Sequence, residues 1–212
     1  MLLNAADKAL WRLALPMIFS NITVPLLGLV DTAVIGHLDS PVYLGGVAVG
    51  ATATSFLFML LLFLRMSTTG LTAQAWGAKD PQRLARALVQ PLALALGAGG
   101  LIILLRLPLI DLALHIVGGS EAVLEQARRF LEIRWLSAPA SLANLVLLGW
   151  LLGVQYARAP VILLVVGNLL NIVLDLWLVM GLRMNVQGAA LATVTAAVSY
   201  THLRAHETLR HL

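Results

Sequence analysis

The chain contains no cysteine and very little charge. Without cysteine it can hold no disulfide framework, no thiolate metal site and no cysteine nucleophile. Charged residues make up only 11% of its 212 residues, whereas soluble domains carry roughly 25%. Hydrophobic residues reach 60% and the mean hydropathy is +0.91. A polytopic membrane protein follows, and an ordinary globular domain is excluded. The net charge of +4 and pI near 10.1 then reflect Lys and Arg in cytoplasmic loops, and no nucleic-acid partner is expected. A cleavable signal peptide is not expected either. The first apolar run starts near Leu10, continues well past a signal h-region and shows no small-residue cleavage site.

A helical span needs about 20 mainly apolar residues. The sequence predicts spans over 12–36, 44–66, 84–107, 136–156 and 160–181, with a truncated sixth over 186–198. The second is expected to stay helical through STTGLTAQAWG, because nothing breaks it before Gly77. Asp39, Ser40 and Pro41 form a short turn. Asp80 and Pro81 occupy the positions of an N-cap and first helical residue. The connection over 108–134 is long, and its part EAVLEQARRFLEIR reads as an amphipathic interfacial helix after Gly118-Gly119 and a Ser120 cap. Placing the N-terminus inside puts Lys8, Arg12, Lys79, Arg83, Arg86 and Arg158 on the cytoplasmic side, with Arg106, Arg128, Arg129, Arg134 and Arg183 opposite. Pro16 and Pro25 make the first span prone to bend, while Gly97, Gly99 and Gly100 allow close helix approach in the third.

Against this background two aspartates stand out, Asp31 in LLGLVDTAVIGHL and Asp175 in GNLLNIVLDLWLVMGL. A charge at the bilayer centre costs about 2.5–3.5 kcal/mol or more, so such residues face a protected, wet interior and do a job there. Asp is too short to reach the interface easily from the depth of Asp31. Asn171 and Asp175 are four residues apart and share a helix face, which Asn168 extends by one turn. An amide and a carboxylate on one face can share a proton or ligate a hard cation through oxygen. Asn21 and Asn144 are further candidates to line a polar cavity. Helix-to-helix hydrogen bonding is the plainer role for each amide taken alone.

These residues and their order carry a family resemblance. LALPMIFSNITVPLLGLVDTAVIGHL, FLRMSTTGLTAQAWGAKD, NLLNIVLDLWLVMGL and VQGAALATVTA together resemble the multidrug and toxic compound extrusion (MATE) antiporters, most closely their DNA-damage-inducible branch. The resemblance runs from about Leu10 to Val198. It implies an all-α, polytopic bundle forming one six-helix lobe of a twelve-helix transporter, with the C-terminal lobe missing. It implies export of amphipathic or cationic xenobiotics from a bacterial inner membrane in exchange for protons or sodium, with no other cofactor. It also implies that Asp31, Asn171, Asp175 and Thr193 line the polar cavity of the N-terminal lobe. Asp31 would be the proton-responsive carboxylate, and Asn171, Asp175 and Thr193 the candidate sodium ligands.

Two other functions are open to the same residues. A lipid or polysaccharide flippase of the same broad fold would share the architecture. An intramembrane aspartyl protease would use two membrane aspartates as a dyad, but LVDT and VLDL lack the Gly-x-Gly-Asp context expected of one. The chain is therefore expected not to be an enzyme. From Ser199 onward, SYTHLRAHETLRHL departs from the apolar pattern and reads as a non-native tail, leaving 1–198 as the transmembrane lobe. His202, His206 and His211 lack acidic or cysteine partners, so no metal site is expected there.

Overall fold

A computed structural model describes residues 28–156 and 158–210, together with residues 7, 11, 14, 15, 18 and 22. Asn21, Pro16 and Pro25 lie outside the described residues, as does nearly half of the predicted first span. Its continuously described part is a helix over 28–36, here α1, followed by the turn at His37–Asp39. The next helices are α2 (Pro41–Leu60), α3 (Phe63–Gly77), α4 (Pro81–Leu104), α5 (Arg106–Val117) and α6 (Glu121–Arg134). A 3-10 turn at Trp135–Ser137 joins α6 to α7 (Ala138–Gly153). Then come α8 (Arg158–Asp175), a π-helical turn at Leu176–Gly181 and α9 (Asn185–Leu209). No strand occurs among the described residues.

Four helical stretches are long and apolar enough to cross a bilayer: Pro41–Gly77, Pro81–Leu104, Glu121–Gly153 and Arg158–Gly181. They match the predicted second to fifth spans, except that the third and fourth predictions, 84–107 and 136–156, run past the observed ends at Leu104 and Gly153. The first of the four is the extended helix expected through STTGLTAQAWG, interrupted only at Leu61–Leu62. With 33 residues, Glu121–Gly153 is about 50 Å long, more than the hydrocarbon thickness. The EAVLEQARRFLEIR segment therefore leads directly into the fourth span. The connection read over 108–134 holds two helices rather than one, because α5 forms after a bend at Leu105, three residues before Pro108. Along α9 the helix does not stop at Val198 but runs to Leu209.

Local chemistry sets the helix ends. Asp80 accepts hydrogen bonds from the backbone N–H of Gln82 and Arg83 at 3.0 Å each, with Pro81 at the first helical position. Ser40 caps α2 in the same way, through the N–H of Val42 at 3.3 Å. Ser120 has the extended backbone of a cap but no capping hydrogen bond from its side chain. Asp80→Ala should cost about 1 kcal/mol and speed amide exchange in the first turn of α4 while leaving α7 unchanged; equal rates throughout would remove the cap from the account.

Small residues let the helices touch. In α3–α7 packing, Gly149 and Gly153 face Thr69, Thr68 and Thr72. A Cβ placed on Gly149 would lie 2.6 Å from the Arg65 carbonyl oxygen. Gly46 and Gly50 of α2 face Gln126 and Phe130 of α6, and Gly99 of α4 meets the backbone of Pro139. Gly97 and Gly100, also predicted as packing positions, meet nothing within 4 Å. Trp135 and Trp150 are fully buried. The indole N–H of Trp135 donates to Thr54 Oγ1 at 3.0 Å, and that of Trp150 to the Leu84 carbonyl at 3.2 Å. The outer faces expose Phe56, Met59, Leu60, Leu104 and Ile116, as expected of side chains that meet lipid instead of water.

Candidate functional site

The polar interior is built from α1, α7, α8 and α9, with α2 and α6 completing the cavity wall. On α8 the spacing of three and then four residues puts Asn168, Asn171 and Asp175 on one inward face, and all three are buried. Asn171 stands at the centre. Its Nδ2 donates to Asp175 Oδ2 at 2.8 Å and to Asp31 Oδ1 at 3.3 Å, which ties α8 to the end of α1. The two carboxyl groups bond to one nitrogen and are therefore neighbours. Asn171 Oδ1, Asp175 Oδ1 and Asn168 Nδ2 have no hydrogen-bond partner among the described residues. Thr32, beside Asp31, is committed to its own helix through the Gly28 carbonyl at 2.7 Å.

Beside this cluster lies a cavity of about 340 Å³, which Asn144, Asn168, Asn171 and Thr193 line together. Every described residue predicted for the site is thus in the cavity wall or bonded to it. Thr193 is brought to the cavity but not to the carboxyls: its hydroxyl donates to the Ala189 carbonyl at 3.0 Å, within α9. The three candidate sodium ligands are accordingly two neighbours and one residue further along the wall.

The cavity also contains residues that the sequence did not single out. Arg134 was counted among loop charges, yet it lines the cavity, donates to Ser137 Oγ at 2.5 Å and lies 5.8 Å from the centre of the Phe58 ring. Ser137 Oγ is in turn 3.3 Å from Ser141 Oγ, so Arg134, Ser137, Ser141 and Asn144 form a polar stripe along one face. Their spacing of three, four and three residues was the signal available to find it. From α9, Arg204 donates to the backbone carbonyl and Oδ1 of Asn144 at 3.3 Å each, and to the hydroxyl of Tyr200. Both Arg204 and Tyr200 belong to the tract after Val198. Among the described residues no group of His, Asp or Glu is arranged to hold a metal ion.

The MatE family profile matches residues 16–177. The chain belongs to the MatE family. Its sequence is 91% identical over 194 residues to DNA damage-inducible protein F of Escherichia coli strain K12, covering 92% of this chain and 42% of that protein. It is 29% identical over 192 residues to the probable multidrug resistance protein NorM of Thermotoga maritima, covering 88% of this chain and 41% of that protein. In structure it resembles a MOP superfamily transporter from Pyrococcus furiosus with a TM-score of 0.86 and 29% identity, covering 94% of this chain and 44% of that one. The chain thus spans less than half the length of the MatE relatives it matches. The Pyrococcus furiosus protein is a transporter and the Thermotoga maritima protein a probable multidrug resistance protein, and the MatE family to which this chain belongs is one of multi-pass membrane transporters rather than enzymes. An intramembrane aspartyl protease has no counterpart among these relatives.

Proposed function

We propose that this chain is the N-terminal lobe of a cation-coupled antiporter of the bacterial inner membrane, exporting amphipathic, often cationic compounds through a cleft that a second lobe completes. The observation that carries the reading is Asn171 bonded at once to Asp31 and Asp175 beside a cavity. Two adjacent carboxyls in a low-dielectric lobe hold a shared proton more readily than two negative charges. Proton arrival neutralises the cluster, and proton loss restores a charge that draws in water or a cationic cargo. An alternating-access cycle needs this switch: cargo and coupling ion must not both sit stably in the open cavity. One charge crossing a 100 mV potential supplies about 2.3 kcal/mol.

Sodium coupling is the second reading. It is favoured by Asn171 Oδ1 and Asp175 Oδ1, two buried oxygens with no hydrogen-bond partner among the described residues, which could ligate a hard cation. A chimera tests both: residues 1–198 of this chain replace the matching part of the Escherichia coli relative, and export from proteoliposomes is followed in sodium-free buffer. Export driven by a proton gradient alone is expected, with fluorescent cargo as the readout. A requirement for added sodium would move the coupling ion to the second reading, and no export under either gradient would remove both. The tract 199–212 is proposed to be foreign to the lobe. The chimera carries the relative's own residues in its place, and the chain's cluster should therefore function without it.

A further inference from the structure

Besides Arg204, whose guanidinium donates to Asn144 and Tyr200, the cavity wall holds a second cation, Arg134. It faces the cavity, yet the ion pairs among the described residues are Arg83–Asp80, Arg128–Asp111, Arg129–Glu125 and Arg210–Glu207, and Arg134 is in none of them. An isolated cation in such surroundings is costly unless a partner offsets it. The acids of the lobe's interior are taken up elsewhere: Asp31 and Asp175 converge on Asn171. Arg134 is also held in place. Ser137 Oγ accepts from one guanidinium nitrogen at 2.5 Å, and the Phe58 ring lies 5.8 Å from the guanidinium carbon. A guanidinium fixed in this way presents a planar fork of donors that matches a carboxylate, sulfonate or phosphate. Ser141 and Asn144, next along the stripe, add a hydroxyl and an amide. Around them Leu145, Leu148 and Leu164 give the wall an apolar character.

We propose that Arg134 is the anion-recognition residue of this cavity, taking the acidic group of an amphiphile whose apolar body lies against Leu145, Leu148 and Leu164. The inference rests on the reading of the cavity as a cargo site, and it extends the class of cargo from cationic compounds to acid-bearing ones. The acidic group can belong to a free amphiphile or to a lipid headgroup, since the chemistry recognised is the same.

The test uses the 212-residue chain in phosphatidylcholine nanodiscs, with binding read as tryptophan-to-pyrene energy transfer above that of empty discs. Pyrenebutyrate and a trimethylammonium analogue with the same pyrene body are the probes. The wild-type chain is expected to bind the acid at least tenfold more tightly than the ammonium. Arg134→Gln should abolish that preference, Arg134→Lys should keep part of it, and Arg204→Gln should leave most of it. Circular dichroism melting confirms that each variant is folded. Adding a short-chain phosphatidylglycerol separates the sources: competition in the wild-type chain but not in Arg134→Gln assigns the site to a lipid headgroup, and no competition assigns it to free cargo. Equal or tighter binding of the ammonium probe, a preference unchanged in Arg134→Gln, or one lost only in Arg204→Gln would overturn the proposal while leaving the cargo cavity standing. Binding of neither probe would remove the cargo cavity along with it.

Discussion

Asp31→Asn in the chimera with the Escherichia coli relative is expected to reduce export to the level of empty vesicles while leaving the folded lobe intact. The substitution keeps the size of the side chain and an oxygen able to accept from Asn171 Nδ2, so the 3.3 Å contact survives. The loss in stability should stay near 1 kcal/mol, within the range of one hydrogen bond. What disappears is the ability to gain and lose a proton. Asn171 and Asp175 remain joined at 2.8 Å, but a lone carboxyl next to an amide has no second acid with which to share a proton. The measurement is cargo efflux under an imposed proton gradient, run beside a thermal melt of the same preparation. Efflux that continues at the wild-type rate would take Asp31 out of the coupling step.

The second large effect is on folding. Gly149→Leu should destabilise the lobe by about 3 kcal/mol, the upper part of the usual range for overpacking, or prevent its assembly. The reason is what the new side chain meets. A Cβ at this position would be 2.6 Å from the carbonyl oxygen of Arg65, which is backbone and cannot swing aside. Either α3 and α7 separate or the Arg65–Thr69 turn distorts. Both outcomes disturb the Thr68 and Thr72 face on which Gly153 also packs. Gly97→Leu is the comparison, since nothing lies within 4 Å of that glycine. It should be neutral or slightly stabilising, because glycine is a poor helix former. Thermal melts of the two variants in the same lipid provide the readout, and equal melting temperatures would show that α3–α7 contact does not limit stability.

The contrast between these glycines shows where the sequence could be read and where it could not. Long apolar runs determined the second to fifth spans, because a bilayer imposes one length and one chemistry on any helix that crosses it. Asp80-Pro81 announced the start of α4 by local chemistry alone, and the structure has the cap. Asn168, Asn171 and Asp175 were legible as one face because helical periodicity is a local property. What remained hidden depends on neighbours. Gly97 and Gly99 look alike in sequence, yet only Gly99 meets another helix. Arg134 looked like a loop charge because polar residues surround it in EAVLEQARRFLEIR, and only the continuity of α6 into α7 carries it into the interior. The bond from Asn171 to Asp31 spans 140 residues, which periodicity cannot reveal. Thr193 came from resemblance alone, and the structure places it on the cavity wall with its hydroxyl bonded back to Ala189.

The coupling role of the paired carboxyls can be tested on the chain itself. Infrared difference spectra between acidic and alkaline buffer, recorded in nanodiscs, report carboxyl groups that take up protons in the lobe. Two acids joined through Asn171 should give a protonated-carboxyl band that weakens in Asp31→Asn and again in Asp175→Asn, with its pH midpoint displaced in each single variant because the surviving acid has lost its partner. A band unchanged in intensity and midpoint in both variants would contradict the account: the two aspartates would not titrate as a pair, and the coupling site would have to lie elsewhere.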